Sequence, residues 1–157
     1  MHLEYFKLID RIVDLRLDDR EIHVEATVPQ SSTIFDGHFP GRPLMPGVLL
    51  IEAMAQTSGW LIIALTRFER MPFLAAVKDA KLRMFIEPGG NLSVTAQLTH
   101  DGSGFALTHA KITRSGQPVC NADLTFRVMP FPNTTFRENM ERAARDLDFP
   151  MKVLQHG

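Results

Sequence analysis

His38 and Glu52 are the residues of this sequence best suited to move protons. His38 lies in a loop dense in proline and glycine, DGHFPGRPLMPG over residues 36–47. Such loops hold a side chain at a fixed angle, because proline locks φ and glycine reaches conformations closed to other residues. Glu52 stands inside an otherwise apolar run, Val48 to Leu65. A carboxylate on an element that must be buried is costly unless it is paired or used. An imidazole and a desolvated carboxyl group are the minimum set for general acid–base chemistry.

That chemistry can be written out. A neutral imidazole can remove a proton from the carbon next to a thioester carbonyl. A protonated carboxyl group can give a proton to a departing hydroxyl. Glu52 would need its pKa raised from about 4.3 towards neutrality, which burial in an apolar helix does. Backbone N–H groups at the start of that helix, at Gly47 and Val48, have no intrahelical partner. They can hold a thioester oxygen as negative charge develops on it. Gln56 stands four residues after Glu52, on the same helical face, and is a candidate for binding substrate. Each residue has a plainer reading when taken alone. His38 fits a loop histidine bonded to backbone, and Glu52 fits a buried ion pair.

The elements that would position these groups follow from periodicity. Residues 5–17 combine a short helical stretch with apolar residues around Ile12, Val13 and Leu15. Asp18-Asp19-Arg20 reads as a turn. From Glu21 to Val28, Ile22, Val24, Ala26 and Val28 alternate with polar residues, which marks a half-buried strand and completes a hairpin. Pro29 to Gly47 is a long connection with four prolines and three glycines. Its Phe35, His38, Phe39, Leu44 and Met45 argue for a packed, functional loop. A helix then starts near Pro46 or Gly47. It is apolar nearly all round and so buried on every side. Four more strands follow, bounded by turn signals at Pro88-Gly89-Gly90, Asp101–Gly104 and Ser115-Gly116, and read in chain order as an antiparallel meander. The fold class is therefore α+β, one long helix wrapped by a mostly antiparallel sheet, the shape of the hot-dog fold. The chain divides into a main domain, residues 1–132, and a tail, residues 133–157. In the tail Phe136, Met140, Ala143 or Ala144 and Leu147 recur at helical spacing over 134–147, with Asn133 or Thr134 as cap.

Composition narrows the partners. With 157 residues the chain suits one domain and a substantial core. The hydrophobic and charged fractions, 45% and 22%, are those of an ordinary globular protein. A net charge of -1 offers no global field for nucleic acid or anionic lipid. The single cysteine, Cys120, excludes an intrachain disulfide and a cysteine metal cluster and fits a reducing cytoplasm. The N-terminal MHLEYFKLIDR does not read as a secretory signal. Val48 to Thr66 is long enough to span a membrane, but Glu52, Gln56, Thr57 and Ser58 within it favour a core helix over membrane insertion.

The stretch HFPGRPLMPGVLLIEAMAQ, residues 38–56, closely resembles the signature of the β-hydroxyacyl-acyl carrier protein dehydratases of FabZ type. The resemblance extends through FLAAVKDAKLR to the last strand, over most of residues 5–129. It implies dehydration of a 3-hydroxyacyl chain, carried on the phosphopantetheine arm of acyl carrier protein, to the trans-2-enoyl thioester. His38 would be the base and Glu52 the acid. Gly47 would lend its N–H to the thioester oxygen. The acid would come from the partner subunit, so the active unit is a homodimer, or a trimer of such dimers, in the cytoplasm. The resemblance implies no cofactor and no metal. Glutamate at position 52 is similar to the FabZ type, whereas the related FabA dehydratase-isomerases carry aspartate, so double-bond isomerisation is not expected.

The match is not complete. Family members commonly carry a second basic residue where this chain has Met84 and an acid where it has Gly90. The longer tail, with MPF at 129–131, resembles a variant group associated with very-long-chain acyl groups of bacterial lipid A.

Carrier docking is expected on a local basic patch at Lys81 and Arg83. Strict alternation would put those two on one strand face and Lys78 on the other. Trp60, Phe73, Phe85 and Met54 are candidates to line an acyl tunnel, and the tail helix serves as a stabilising cap or, alternatively, shapes that tunnel. Two other functions suit the same fold, an acyl thioesterase and a non-catalytic acyl-binding protein. The first needs an acid or amide placed to activate water, and the HFPG string does not suggest it. The second has no use for both His38 and Glu52.

Overall fold

Apolar alternation makes the second strand, while the first is interrupted by a bulge between Ile12 and Asp14. In β2 (Glu21–Thr27), Ile22, Val24 and Ala26 are buried while Glu25 and Thr27 are exposed. β1 (Arg11–Arg16) pairs with it antiparallel through the Leu17–Arg20 turn. These elements and those below come from a computed structural model in which residues 1–155 are described. The last two residues of the 133–157 tail lie outside that range.

The 29–47 connection is not wholly irregular. It contains a short helix, α1 (Thr33–Gly37), whose Ser32 cap accepts the Ile34 N–H at 3.1 Å. Phe35 from this helix is buried in the core. The long helix α2 (Gly47–Leu65) begins with Pro46 at its cap position and ends at Thr66. Two left-handed residues, Arg67 and Phe68 (φ 53° and 59°), then turn the chain so that the Phe68 ring enters the core. β3 (Arg70–Leu82), β4 (Asn91–Gly102), β5 (Phe105–Arg114) and β6 (Gln117–Pro130) follow.

One antiparallel sheet holds all six strands in the order β1-β2-β4-β5-β6-β3. The expected four-strand meander is therefore corrected. β4, β5 and β6 form the meander, whereas β3 lies beyond β6 at the sheet edge. Because β2 takes β4 as its neighbour, the strand that follows the helix is carried to the opposite edge.

The sheet wraps α2, which packs against β2 to β6. Met54, Leu61 and Ile63 are almost wholly buried between helix and sheet. The buried Thr108 hydroxyl donates to Ser58 Oγ at 2.8 Å, and Thr57 donates to the Ala53 carbonyl at 2.8 Å, so the polar groups of the helix interior are satisfied. With a mean hydropathy of 1.7, α2 is long and apolar enough to cross a membrane. The sheet around it identifies it as a core helix.

Two irregularities bend β3. The second changes which lysines share a face. Lys78 opposes Asp123 and Lys81 opposes Asn121, two residues apart on β6, with an extra residue at Asp79 in left-handed conformation (φ 52°). The bulge puts Lys78 and Lys81 on the same face, which corrects the strict alternation expected from sequence.

The tail forms α3 (Thr134–Asp146), capped by Asn133, whose side chain accepts the Phe136 N–H at 2.7 Å. Ala144 is buried, and Met140, Ala143 and Leu147 pack against the core. Phe136 rests on Phe131 instead, ring centroids 5.9 Å apart. Past the helix, Phe149 inserts edge-on to Phe68 at 5.3 Å and tilted against Trp60 at 6.3 Å. The Leu147 carbonyl accepts the Ile12 N–H at 2.8 Å, which ties the tail to β1.

Candidate active site

Backbone hydrogen bonds fix the His38 loop. The His38 N–H donates to Ile34, the Leu44 N–H donates to the His38 carbonyl at 2.8 Å, and Phe39 and Arg42 exchange a pair at 2.9 Å. The Phe39 ring stacks on the imidazole with centroids 4.0 Å apart. His38 Nδ1 lies 2.9 Å from the Leu44 carbonyl oxygen. A carbonyl can only accept, so Nδ1 carries the hydrogen and donates. The lone pair of the neutral ring then sits on Nε2, which has no hydrogen-bond partner among the described residues.

His38 and Gly47 line one cleft of about 330 Å³, together with Leu50, Leu82, Arg83 and Phe85. The first intrahelical bonds run from the Leu49 and Leu50 N–H groups to the Pro46 carbonyl. The N–H groups of Gly47 and Val48 precede them at the helix start, with the positive end of the helix dipole behind them. A β-carbon at position 47 would lie 2.5 Å from a methyl of Leu82, so that exposed side chain would have to swing aside.

Glu52 opens onto a different cleft, of about 290 Å³, with Gln56, Trp60, Met71, Leu74 and Met140 among its walls. Burial pushes its carboxyl pKa above the ordinary glutamate value, and the hydrogen bond from Gln56 partly offsets that. Gln56 Nε2 donates to Glu52 Oε1 at 3.3 Å and to the Phe6 carbonyl at 2.8 Å. Its Oε1 accepts the Leu8 N–H at 3.1 Å. The amide expected to bind substrate is thus engaged with the N-terminal segment and with Glu52. The i, i+4 spacing pointed to the Glu52 contact, but the sequence held no signal for the other two, whose partners are backbone groups far along the chain. The two clefts share no lining residue, so a single chain does not bring His38 and Glu52 into one cavity.

The remaining candidates fall out as follows. Arg83 lines the His38 cleft and reaches Asn121 Oδ1 at 3.4 Å, on the side where Lys81 stands opposite Asn121. Among the candidate tunnel residues, Trp60 lines the Glu52 cleft and Phe85 the His38 cleft. Met54 is fully buried core, and Phe73 is exposed on β3. Met140, from the helical stripe that suits either a cap on the domain or a wall of the acyl tunnel, lines the Glu52 cleft. Cys120 is buried, and burial pushes its thiol to about 11, far from a reactive thiolate.

A single helix wrapped by an antiparallel sheet, with a histidine loop leading into that helix, defines a hot-dog protein. Solved structures share this fold. One is a hypothetical thioesterase with coenzyme A from Streptococcus pneumoniae, with a TM-score of 0.62 and 19% identity, covering 76% of this chain and 85% of that one. Another is a mutant thioesterase from Staphylococcus aureus, with a TM-score of 0.64 and 17% identity, covering 82% and 98%. These likenesses establish the fold.

Sequence comparison narrows the class. The FabA-like domain family matches residues 1–123. The 3-hydroxyacyl-acyl-carrier-protein dehydratase FabZ of Oenococcus oeni is 34% identical over 122 residues, 77% of this chain and 87% of its own. The dehydratase FabZ of Chloroflexus aggregans is 35% identical over 128 residues, 81% and 88%. The bifunctional LpxC/FabZ enzyme of Chlorobaculum tepidum is 37% identical over 134 residues, 84% of this chain and 28% of that longer protein. The chain belongs to the FabA-like family.

Proposed function

We propose that this protein is a 3-hydroxyacyl-acyl carrier protein dehydratase of fatty acid or lipid A acyl-chain synthesis, acting in the cytoplasm. The observation that carries the reading is the His38 hydrogen bond to Leu44, which leaves Nε2 as a proton acceptor in the cleft that also holds Gly47. His38 removes a proton from the carbon between the thioester and the hydroxyl-bearing carbon. The N–H groups of Gly47 and Val48 stabilise the charge that develops on the thioester oxygen. Glu52, whose hold on its proton is strengthened by burial, gives that proton to the departing hydroxyl, and water leaves as the double bond forms. The proton balance closes and no electrons are exchanged with an external acceptor, so the step calls for neither cofactor nor metal. Gln56 holds the acid in place.

The active unit of this reading is a homodimer in which Glu52 serves the partner's His38. Two observations support it. His38 and Glu52 face different clefts of one chain. β3 is a sheet edge that exposes Phe73, Leu74 and Val77, with Leu82 and Phe85 following and Val48 at the helix start, an apolar surface that a second copy would cover. Residues 1–132 form the catalytic domain and 133–157 an appended tail. The acyl chain lies along α2 in the Glu52 cleft, and acyl carrier protein docks beside Arg83 at the mouth of the His38 cleft.

Incubation with crotonyl- and 3-hydroxybutyryl-pantetheine tests the reaction class. Reversible hydration identifies a dehydratase. Release of free thiol would identify a thioesterase, and unchanged but bound thioester a binding protein.

A further inference from the structure

The family match ends at residue 123, yet the wall of the Glu52 cleft does not. Along α2, Glu52, Gln56, Gly59 and Ile63 line this cleft, a run of about 16 Å at 1.5 Å per residue. Beyond the two polar groups at its start, the lining is apolar. β3 and β6 supply Pro72, Leu74 and Phe126. Met140 comes from α3, which starts eleven residues after the matched region. The same helix borders a smaller neighbouring cleft of about 120 Å³ through Ala143 and Asp146, and Gln56 and Trp60 stand between the two. α3 is held there by three ties. These are the buried Ala144, the Leu147 bond to β1, and the Phe149 ring set against Trp60 and Phe68. A helix anchored this firmly is a fixed wall, and a methionine on it offers a long, adaptable apolar face.

We propose that Met140 on α3 is a specificity-determining residue, which sets how long an acyl chain the groove beside Glu52 can take. The inference rests on the dehydratase reading for the identity of the occupant, the acyl chain of a thioester. Continuity with Glu52 commits the groove to that occupant, because a 3-hydroxyl placed at the carboxyl group directs the rest of its acyl chain along the apolar lining. A bulkier side chain at 140 narrows the groove away from the reacting atoms. A smaller one widens it. Discrimination by an apolar pocket runs at roughly 10- to 200-fold per methylene-sized change, so the effect is within easy reach of measurement.

The test compares kcat/KM for butyryl-length and dodecanoyl-length 3-hydroxyacyl pantetheine thioesters on Met140→Phe, Met140→Ala and the intact protein. Met140→Phe lowers the long-to-short ratio by about tenfold or more, and Met140→Ala raises it. Glu138→Ala, an exposed change two residues away, leaves the ratio as it was. Binding gives a second readout that needs no turnover. Trp60 is the only tryptophan and lines the groove, so its fluorescence reports a non-reactive dodecanoyl pantetheine thioether. Met140→Phe weakens that binding by about tenfold. An unchanged ratio together with unchanged thioether binding would overturn the inference while leaving the dehydratase reading intact. Absent turnover of every hydroxyacyl thioester, with Met140-dependent binding retained, would overturn the dehydratase reading and keep the groove.

Discussion

Gln56 ties the acid of the site to the N-terminal segment: its amide nitrogen donates to Glu52 Oε1 at 3.3 Å and to the Phe6 carbonyl at 2.8 Å. With its oxygen accepting the Leu8 N–H, the amide is a bracket, and Glu52 is the group it positions.

Removing the bracket has a definite sign. The Gln56 hydrogen bond lowers the Glu52 pKa, against the larger upward effect of burial. In Gln56→Ala the carboxyl pKa therefore rises, and the alkaline limb of the pH–rate profile moves to higher pH. kcat falls by about tenfold as the carboxyl group loses its fixed orientation. A lower rate with an unmoved alkaline limb would mean that Gln56 acts on the fold and not on Glu52.

The raised Glu52 pKa also fixes how stability changes with pH. The folded state holds this proton more tightly than the unfolded chain does. The contribution is fully present below the ordinary value of 4.5 and is lost as pH rises through the folded pKa. Above that point the protein bears a partly buried charge. Glu52→Gln is thus expected to raise the urea midpoint at neutral pH, and the advantage shrinks as the pH approaches about 4. A constant difference across that range would contradict the assignment.

The bulge at Asp79 makes Lys78, Lys81 and Arg83 one basic edge. Acyl carrier proteins are acidic, and exposed charges act chiefly on encounter. Reversing Lys81 and Arg83 is expected to cut kcat/KM on carrier-bound substrate by about tenfold or more at low salt, with a smaller loss on a pantetheine thioester. Adding Lys78→Glu deepens the carrier-specific loss, because that side chain shares the face. Equal losses on both substrates would move these residues from docking to folding or catalysis.

Phe149 anchors the tail. Truncation to Ala removes a buried ring from contact with Trp60 and Phe68 and is expected to cost about 3 kcal/mol in urea unfolding. Stability within about 0.5 kcal/mol of the intact protein, the range of ordinary surface changes, would show that the tail is not part of the core.

Much of this was legible in the sequence, and the failures have physical causes. The β2 alternation, the long apolar helix and the Pro/Gly loop are local patterns, and all three appear where the pattern puts them. The placement of β3 was not legible, because which strands become neighbours is settled by long-range packing around α2. The Lys78 face was misread because one left-handed residue, Asp79, breaks a period-two pattern without any glycine to announce it. His38 and Glu52 stood out by residue type and setting. Gln56 shared a readable face with Glu52 but did not reveal its partners at Phe6 and Leu8, since backbone carbonyls and N–H groups leave no trace in a side-chain pattern. Met140 suited both a packing stripe and a tunnel wall, and which cleft it lines depends on where α3 lands. Phe149 lay beyond the expected helix, in a turn that sequence reading had no reason to place in the core.

The central claim is that one reaction site joins His38 of one chain to Glu52 of another. The most direct measurement mixes two inactive proteins, His38→Ala and Glu52→Gln, each lowered by about two to four orders of magnitude in dehydration of a 3-hydroxyacyl thioester. After subunit exchange, verified with a distinguishable tag on each chain, a mixed dimer holds one doubly altered site and one intact site. The account predicts that enoyl thioester formation returns in the mixture, approaching one quarter of the intact protein's rate for about equal amounts of randomly exchanged chains with independent sites. A mixture that exchanges subunits and stays as inactive as its components would contradict it.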